Sequence, residues 1–101
     1  MSEVVVVLVA RVPEGGIDGF QRYERAVLSL LGDHGGALQR RLRSEDGLTE
    51  VHLVGFPSPE ACSSYRSDPR REEHRELLEA SGARLEVLEL GDAPTDELLG
   101  A

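Results

Sequence analysis

Three histidines and one arginine are the residues of this sequence with the clearest capacity for chemistry. His34 precedes two glycines, where an imidazole can act as a general base, ligate haem iron or cap the preceding helix. Arg41 lies in a run of arginines on a predicted strand. If Arg41 points into the protein, it must hold a carboxylate, a phenolate or a ligand anion, because a buried guanidinium needs a partner. If it lies at an edge, it reaches solvent or pairs across a dimer.

His52 and His74 have more ordinary surroundings in the sequence. His52 shares a strand face with Val54 and Phe56, which predicts a partly buried histidine beneath the helices, although a one-residue slip would move it to the other face. His74 lies in the charged run REEHRE, which is typical of a solvated helix face. No two histidines have HxH or HxxxH spacing and Cys62 is the single cysteine, so neither a metal site nor an intrachain disulfide is predicted.

Size and charge restrict the classes of partner. The chain has 101 residues, enough for one domain. All 11 basic residues are Arg, and against 19 Asp and Glu they leave a net charge of -8, which repels nucleic-acid phosphate. The longest apolar run, Val4–Ala10, is far shorter than the roughly 20 residues that a membrane helix needs. We therefore expect a cytoplasmic protein that binds neither nucleic acid nor membrane.

The elements that must position these residues follow the order β-α-β-β-α-β. Hydrophobic periodicity and turn residues predict strands and helices at the following positions: strands Val4–Ala10, Gly36–Arg43, Thr49–Phe56 and Ala83–Leu90, a helix over Ile17–Leu31 that Gly32 ends, and helices that begin at Ser58-Pro59 and at Asp68-Pro69, the second running to about Ala80. This order predicts the α+β ferredoxin-like fold with a four-stranded antiparallel sheet. We expect one domain over residues 1–91 and a loose acidic tail over 92–101.

Two features of the strands bear on assembly and on the site. The first strand is apolar without alternation, so both of its faces should be buried, yet a ferredoxin-like sheet carries helices on one face only. A second copy packed face to face across a two-fold axis resolves this conflict, and we predict a homodimer. In the second strand, regular alternation places Leu38, Arg40 and Leu42 on one face and Arg41 on the other.

The segments HGGALQRRLRS and TEVHLVGFPSPEACSSYRSDP resemble the dimeric α/β-barrel superfamily. Within it they are most similar to a domain family of unknown function, which is marked by a YGG-R-Y-x-x-R run and a strand that ends in E-F-P-S. Arg41 matches the second arginine of that run. Three positions depart from the pattern, because His34 replaces a tyrosine, Ala37 replaces the first arginine and Gly55 replaces the acidic residue.

This resemblance implies a homodimeric barrel that binds a small organic molecule, aromatic or polyketide-like, in a cavity of each protomer. Relatives in the superfamily include antibiotic-biosynthesis monooxygenases, polyketide cyclases and haem-degrading enzymes. The implied activity is cofactor-free oxygenation or cyclisation, with Arg41 stabilising an enolate or phenolate and His34 or His52 as the base. Two alternatives stay open, namely a non-catalytic dimerisation or ligand-sensing module, which Gly55 favours, and haem binding through a histidine.

Overall fold

A computed structural model describes residues 3–100 and shows one antiparallel sheet with helices packed against it. The strands are Val4–Arg11 (β1), Ala37–Arg43 (β2), Thr49–Phe56 (β3) and Arg84–Leu90 (β4), in the order β2-β3-β1-β4. The helices are Ile17–Leu28 (α1), Pro59–Arg66 (α2), Pro69–Glu72 (α3), Arg75–Ser81 (α4) and Asp96–Leu99 (α5). The predicted ferredoxin-like fold is confirmed. The outermost residues of the predicted domain and tail (1, 2 and 101) lie outside the described residues.

Burial along β3 shows which face of the sheet meets the helices. Every second residue of this strand is buried, and the buried set is Glu50, His52, Val54 and Phe56. His52 contacts Glu24 on α1, so this set points toward the helices, and the predicted face of His52 is confirmed. Within residues 3–100, no helix is both long enough and apolar enough to cross a bilayer.

The core under the helices is divided into two apolar clusters. One contains Val6, Leu31, Val54, Phe56, Cys62 and Tyr65, and the other contains Ala10, Val12 and Phe20. Leu8 lies between Val6 and Ala10 on the same face of β1, and it pairs with His52 on one side and Val87 on the other. The two clusters are therefore separated by the row of residues that contains Leu8 and the buried, polar His52.

The two predicted cap-and-proline helix starts are both present. The Ser58 hydroxyl accepts a hydrogen bond from the Ala61 amide at 3.1 Å, and the Asp68 carboxylate accepts one from the Arg70 amide at 2.9 Å. Each cap satisfies an amide that has no partner within its helix. These two short helices are fixed at the N-terminal ends that the sequence indicates.

Two predicted helices differ from the observed ones. The first helix ends at Leu28, and Gly32 lies within a following 3-10 turn, Leu31–His34, which ends where Gly35 adopts a φ of 72°. The helical stretch predicted to run from Asp68 to about Ala80 is divided into α3 and α4. The predicted acidic tail contains the single helical turn of α5, in which no residue is buried.

A β-bulge in β2 overturns the predicted faces of that strand. Leu38 pairs with Val54 and Arg40 with Leu53, so Gln39 is one residue in excess of its partner strand. Beyond the bulge, Arg41 lies opposite His52 and therefore on the helix side, together with Leu38. The prediction that Arg41 lies on the face opposite Leu38 was wrong, because regular alternation assumes a strand without a bulge.

Candidate functional site: an apolar cavity with a buried histidine-carboxylate network

A cavity of about 130 Å³ lies between the sheet and the helices, at the junction of the two core clusters. Its walls are mostly aliphatic and aromatic, and its polar lining comes from six side chains: Tyr23, Glu24, His52, Tyr65, Arg66 and Arg71. An apolar cavity of about 150 Å³ accommodates a benzene molecule. The volume is therefore suited to a single six-membered ring. The exposed residues of its lining, Arg66 and Val87 (39% exposed), mark its mouth beside β4.

His52 forms the inner wall of the cavity and lies between two carboxylates. Its Nε2 is 2.8 Å from Glu50 Oε1, and its Nδ1 is 3.2 Å from Glu24 Oε2. The first contact is an aligned hydrogen bond, whereas the Glu24 carboxylate lies off the hydrogen-bonding direction of Nδ1. All three side chains are buried, with His52 only 1% exposed. The ring is therefore held firmly through one nitrogen and has hydrogen-bonding capacity left at the other.

The partners of Glu50 decide which ring nitrogen carries the proton. The Glu50 carboxylate accepts two hydrogen bonds from Arg41, at 2.8 and 2.9 Å, and two from Arg43, at 3.1 and 2.9 Å. Burial would raise the pKa of Glu50, but Arg41, His52 and Arg43 outweigh it and lower the pKa to about 2. An ionised carboxylate only accepts hydrogen bonds, so Nε2 of His52 must donate. Nδ1 is then the nitrogen that gains and loses the proton.

The same surroundings determine the charge of His52. Burial alone would lower the pKa of this imidazole, but Glu24 and Glu50 outweigh burial and raise it. When Nδ1 is protonated it can donate a hydrogen bond to an oxyanion, and when it is neutral it can accept one from a hydroxyl. A ligand hydroxyl can pair with either state of the ring, because as a hydroxyl it donates to neutral Nδ1 and as an oxyanion it accepts from protonated Nδ1.

Two tyrosines and one arginine line the cavity with the histidine. Burial raises the pKa of Tyr65 to about 12 and raises that of Tyr23, while the charge of nearby Arg71 opposes both shifts. The Tyr65 hydroxyl donates to the carbonyl of Val27 at 3.1 Å. The guanidinium of Arg71 lies over the Tyr65 ring, 4.7 Å from its centroid, and one of its terminal nitrogens donates to a backbone carbonyl. Both phenols thus stay neutral and one cation faces the apolar space.

The mouth of the cavity carries a separate ion pair. Arg66 Nη1 lies 3.1 Å from Glu89 Oε2, and both side chains are about half exposed. The thiol of Cys62 donates to the other oxygen of the same carboxylate at 3.0 Å. Burial raises the pKa of this thiol to about 11. The cysteine is thus an inert part of the core rather than a nucleophile.

The structure brings two of the three predicted site residues together. Arg41 and His52 are joined through Glu50, but Arg41 is 45% exposed, does not line the cavity and already uses its guanidinium on a carboxylate. His34 is elsewhere: Nδ1 lies 2.8 Å from the Ser64 hydroxyl and Nε2 lies 2.8 Å from Asp68. His34 reaches the site only indirectly, through an edge-on contact of its ring with Tyr65. Of the three, His52 alone lines the cavity.

Sequence reasoning missed Glu24, Glu50 and Arg71, although two of them left a signal. Glu24 interrupts the apolar stripe of α1, where it lies among Phe20, Tyr23 and Val27, and a charged residue at such a position must find a partner. Glu50 precedes His52 by two residues, so the two share a strand face. Arg71 lies in a charged run that gives no indication of an inward orientation.

The donors present do not fit a haem group. A haem is several times larger than a cavity that is suited to one aromatic ring. Both ring nitrogens of His34 are engaged by polar side chains, and the nitrogens of His52 face two carboxylates. Among the residues 3–100, no group of three or more metal-ligating side chains could hold a metal ion.

Solved structures of low sequence identity share this fold. SnoaB, a cofactor-independent oxygenase from Streptomyces nogalater, superposes with a TM-score of 0.79 at 18% identity over 94% of this chain and 97% of its own. Two proteins with the provisional name antibiotic biosynthesis monooxygenase are also similar. The one from Nitrosomonas europaea has a TM-score of 0.75 at 13% identity and covers 90% of each chain. The one from Caulobacter crescentus has a TM-score of 0.76 at 11% identity and covers 92% of each chain.

Comparison at the level of sequence gives no match. Neither protein-family models nor curated protein sequences match the chain. The specific motif run of the unknown-function family therefore stays a resemblance. The chain shares the ferredoxin-like fold of these structures.

Proposed function

We propose that this protein binds an aromatic or polyketide-like molecule in the cavity and ionises a phenolic or enolic hydroxyl group of that molecule. The observation that carries the proposal is the position of His52 Nδ1 and the Glu24 carboxylate at the inner wall of an otherwise apolar cavity. A base in an apolar site is effective because water does not compete for the proton and because its charge is balanced by fixed neighbours.

The proton path follows from the hydrogen bonds. A substrate hydroxyl donates to Nδ1 of His52 or to Glu24, and the pair retains the proton. Because Glu50 is held as an anion by two arginines, it stabilises the imidazolium that forms. Protonated Nδ1 donates to the oxyanion that forms, and Arg71, which lines the same cavity, adds positive charge to the surroundings of the ionised ligand. This role replaces the one predicted for Arg41, which instead positions Glu50.

Cofactor-free oxygenation is the reaction that we infer for the ionised substrate, with dioxygen as the oxidant. In an activated methylene compound, loss of a proton gives a carbanion-enolate that transfers electrons to O₂ and forms a C–O bond. Cleavage of the O–O bond then releases water, so that R₂CH₂ and O₂ give R₂C=O and H₂O. One ring of such a substrate fits the cavity, and the remainder extends past Arg66 and Val87 at the mouth.

A homodimer is part of this proposal. The face of the sheet opposite the helices carries Leu42, Leu88 and Leu90, each 42 to 46% exposed, beside valines of β1 that are only partly covered. A second copy of the same face, related by a two-fold axis, would bury these side chains and make the sheet a barrel wall.

The test is oxygen uptake with dithranol, an anthrone with an activated methylene, measured with an oxygen electrode and by the absorbance of the quinone product. We expect Glu24→Gln and His52→Asn each to lower the enzyme-dependent rate about 100-fold or more. The matched controls are Glu79→Gln, an exposed carboxylate on α4, and His74→Asn, neither of which lines the cavity. Rates that the protein does not raise above autoxidation would refute the oxygenase activity.

The non-catalytic alternative predicts a different outcome of the same experiment. If the protein is a ligand-sensing module, dithranol or its quinone should bind without any protein-dependent oxygen uptake. Binding is detected by quenching of tyrosine fluorescence or by shifts of the amide resonances around His52. Binding that is abolished by filling the cavity, for example in Val54→Phe, would locate the ligand in either case.

A further inference from the structure

Two residues that line the cavity each have a buried nitrogen without an aligned hydrogen-bond partner, although Nδ1 of His52 lies 3.2 Å from a carboxylate oxygen of Glu24. Among residues 3–100, the buried side-chain nitrogen and oxygen atoms without a partner are His52 Nδ1 and Arg71 Nε. They come from a strand and from a helix, and both residues line the same 130 Å³ space. Because an unsatisfied buried polar atom costs free energy, two such atoms in one cavity indicate that a ligand completes them.

From this arrangement we infer that the part of the ligand inside the cavity is a single aromatic ring with two oxygen substituents: a hydroxyl at His52 and an anionic group, a carboxylate, at Arg71. This inference names the substrate class of the proposed function and rests on it. The ring size follows from the cavity volume. The two oxygens follow from the two nitrogens that they would satisfy.

The two nitrogens require different groups. Nδ1 of His52 accepts a proton when the ring is neutral and donates one when it is charged, so an ionisable hydroxyl suits it. Arg71 Nε only donates and belongs to a group that is always charged, so an acceptor with negative charge suits it. A neutral acceptor at Arg71 would leave the guanidinium charge uncompensated at the wall of an apolar cavity.

The local charge agrees with an anion, although the whole chain is acidic. At the mouth of the cavity, Arg66 is already paired with Glu89. Among residues 3–100, no carboxylate forms an ion pair with Arg71, so this residue presents positive charge to the cavity although the net charge of the protein is -8.

The experiment measures binding of single-ring probes to the wild-type protein by calorimetry and by amide shifts in NMR spectra. The probes are 3- and 4-hydroxybenzoate, with benzoate, phenol and 4-hydroxybenzamide as comparisons that lack the hydroxyl, the carboxylate or the charge. We expect one hydroxybenzoate isomer to bind at least about tenfold more tightly than each comparison probe. Equal affinity for 4-hydroxybenzamide and the hydroxybenzoates, or no binding of either isomer at 10 mM, would overturn the inference.

Two variants assign the anion to its cation. Arg71→Met keeps most of the side-chain volume but removes the charge, and it should abolish the preference for hydroxybenzoate over phenol. Arg22→Met, an exposed position on α1 that does not line the cavity, should retain the preference. A preference that survives in Arg71→Met would overturn the inference. The wild-type probe series decides the question if that variant fails to fold.

Failure of this inference and failure of the proposed function give different results. Oxygen uptake with dithranol in a protein that does not prefer hydroxybenzoates would remove the inferred ligand class and leave the oxygenase proposal. Preferential hydroxybenzoate binding in a protein without oxygen uptake would remove the oxygenase proposal and leave the inferred ligand class.

Discussion

His52 Nε2 lies 2.8 Å from Glu50 Oε1, and the same carboxylate accepts four further hydrogen bonds from two arginine side chains. This relationship joins the exposed edge of the sheet to the inside of the cavity. It keeps Glu50 ionised, keeps the proton on Nε2 and leaves Nδ1 free to exchange protons. In the proposed reaction, the basicity of His52 would therefore depend on Arg41 and Arg43, which do not line the cavity.

Replacing Glu50 with Gln should lower the free energy of unfolding by about 2–4 kcal/mol, because it removes the charged acceptor of buried His52 and of two half-exposed arginines. The same variant should lower the pKa of His52, since one of the two carboxylates that raise it is gone. Urea denaturation measures the first effect, and an NMR titration of the histidine ring measures the second. Glu79→Gln, on the exposed face of α4, is the matched control and should change neither quantity.

Stability should depend on pH in two separate windows. The pKa of Glu50 falls from 4.5 to about 2 on folding, so its stabilising effect is complete above pH 4.5 and is lost as the pH falls toward 2. The pKa of His52 is raised above 6.5, so its contribution is complete below pH 6.5 and is lost as the pH rises through the folded value. Urea midpoints should therefore be highest near pH 5–6. A midpoint that keeps rising from pH 6 to pH 9 would contradict this account of His52.

The proposed dimer gives a direct test of the open face of the sheet. Light scattering should report about twice the chain mass of 11.0 kDa for the wild-type protein. Leu88→Glu places a charge opposite Val7 on that face and should shift the protein to monomers. Leu98→Glu, in the exposed tail helix (87% exposed), should leave the dimer intact. If both variants remain dimeric, the interface lies elsewhere.

Two adjacent glycines provide a matched test of close packing between α4 and the turn before α1. A Cβ atom added to Gly16 would collide with the backbone carbonyl of Ser81, whereas one added to Gly15 would meet nothing. Gly16→Ala should therefore destabilise the protein by about 1–3 kcal/mol, since backbone must move to relieve the overlap. Gly15→Ala should change the urea midpoint little. Similar midpoints for the two variants would contradict the described approach of the two segments.

The fold could be predicted from the sequence because its signals are local. The bounds of β3 agree with prediction at both ends, since a turn at Glu45–Gly47 precedes it and Pro57 follows it. Helix starts with a cap residue and a proline were equally clear. The end of α1 could not be predicted in this way, because the 3-10 turn Leu31–His34 follows the helix and the chain reverses only at Gly35.

The site could be predicted only in part, because its members are joined by tertiary contacts. The strand pattern alone gave the face of His52. Arg71 turns inward against an aromatic ring from a helix of four residues, and no periodicity reveals that. The assignment of Arg41 failed because a single excess residue in β2 reverses every later side-chain direction.

That excess residue, Gln39, lengthens β2 by one residue without shifting the pairing of the residues on either side of it with β3. Its side chain covers Gly55 on the neighbouring strand, and every residue after it keeps a partner that a shorter strand would also provide. Deleting it would leave Arg41 and Arg43 beside Glu50, because their partners on β3 are already those of a strand without the bulge. An alignment that places no gap at Gln39 would therefore assign the two arginines to the wrong face of the sheet.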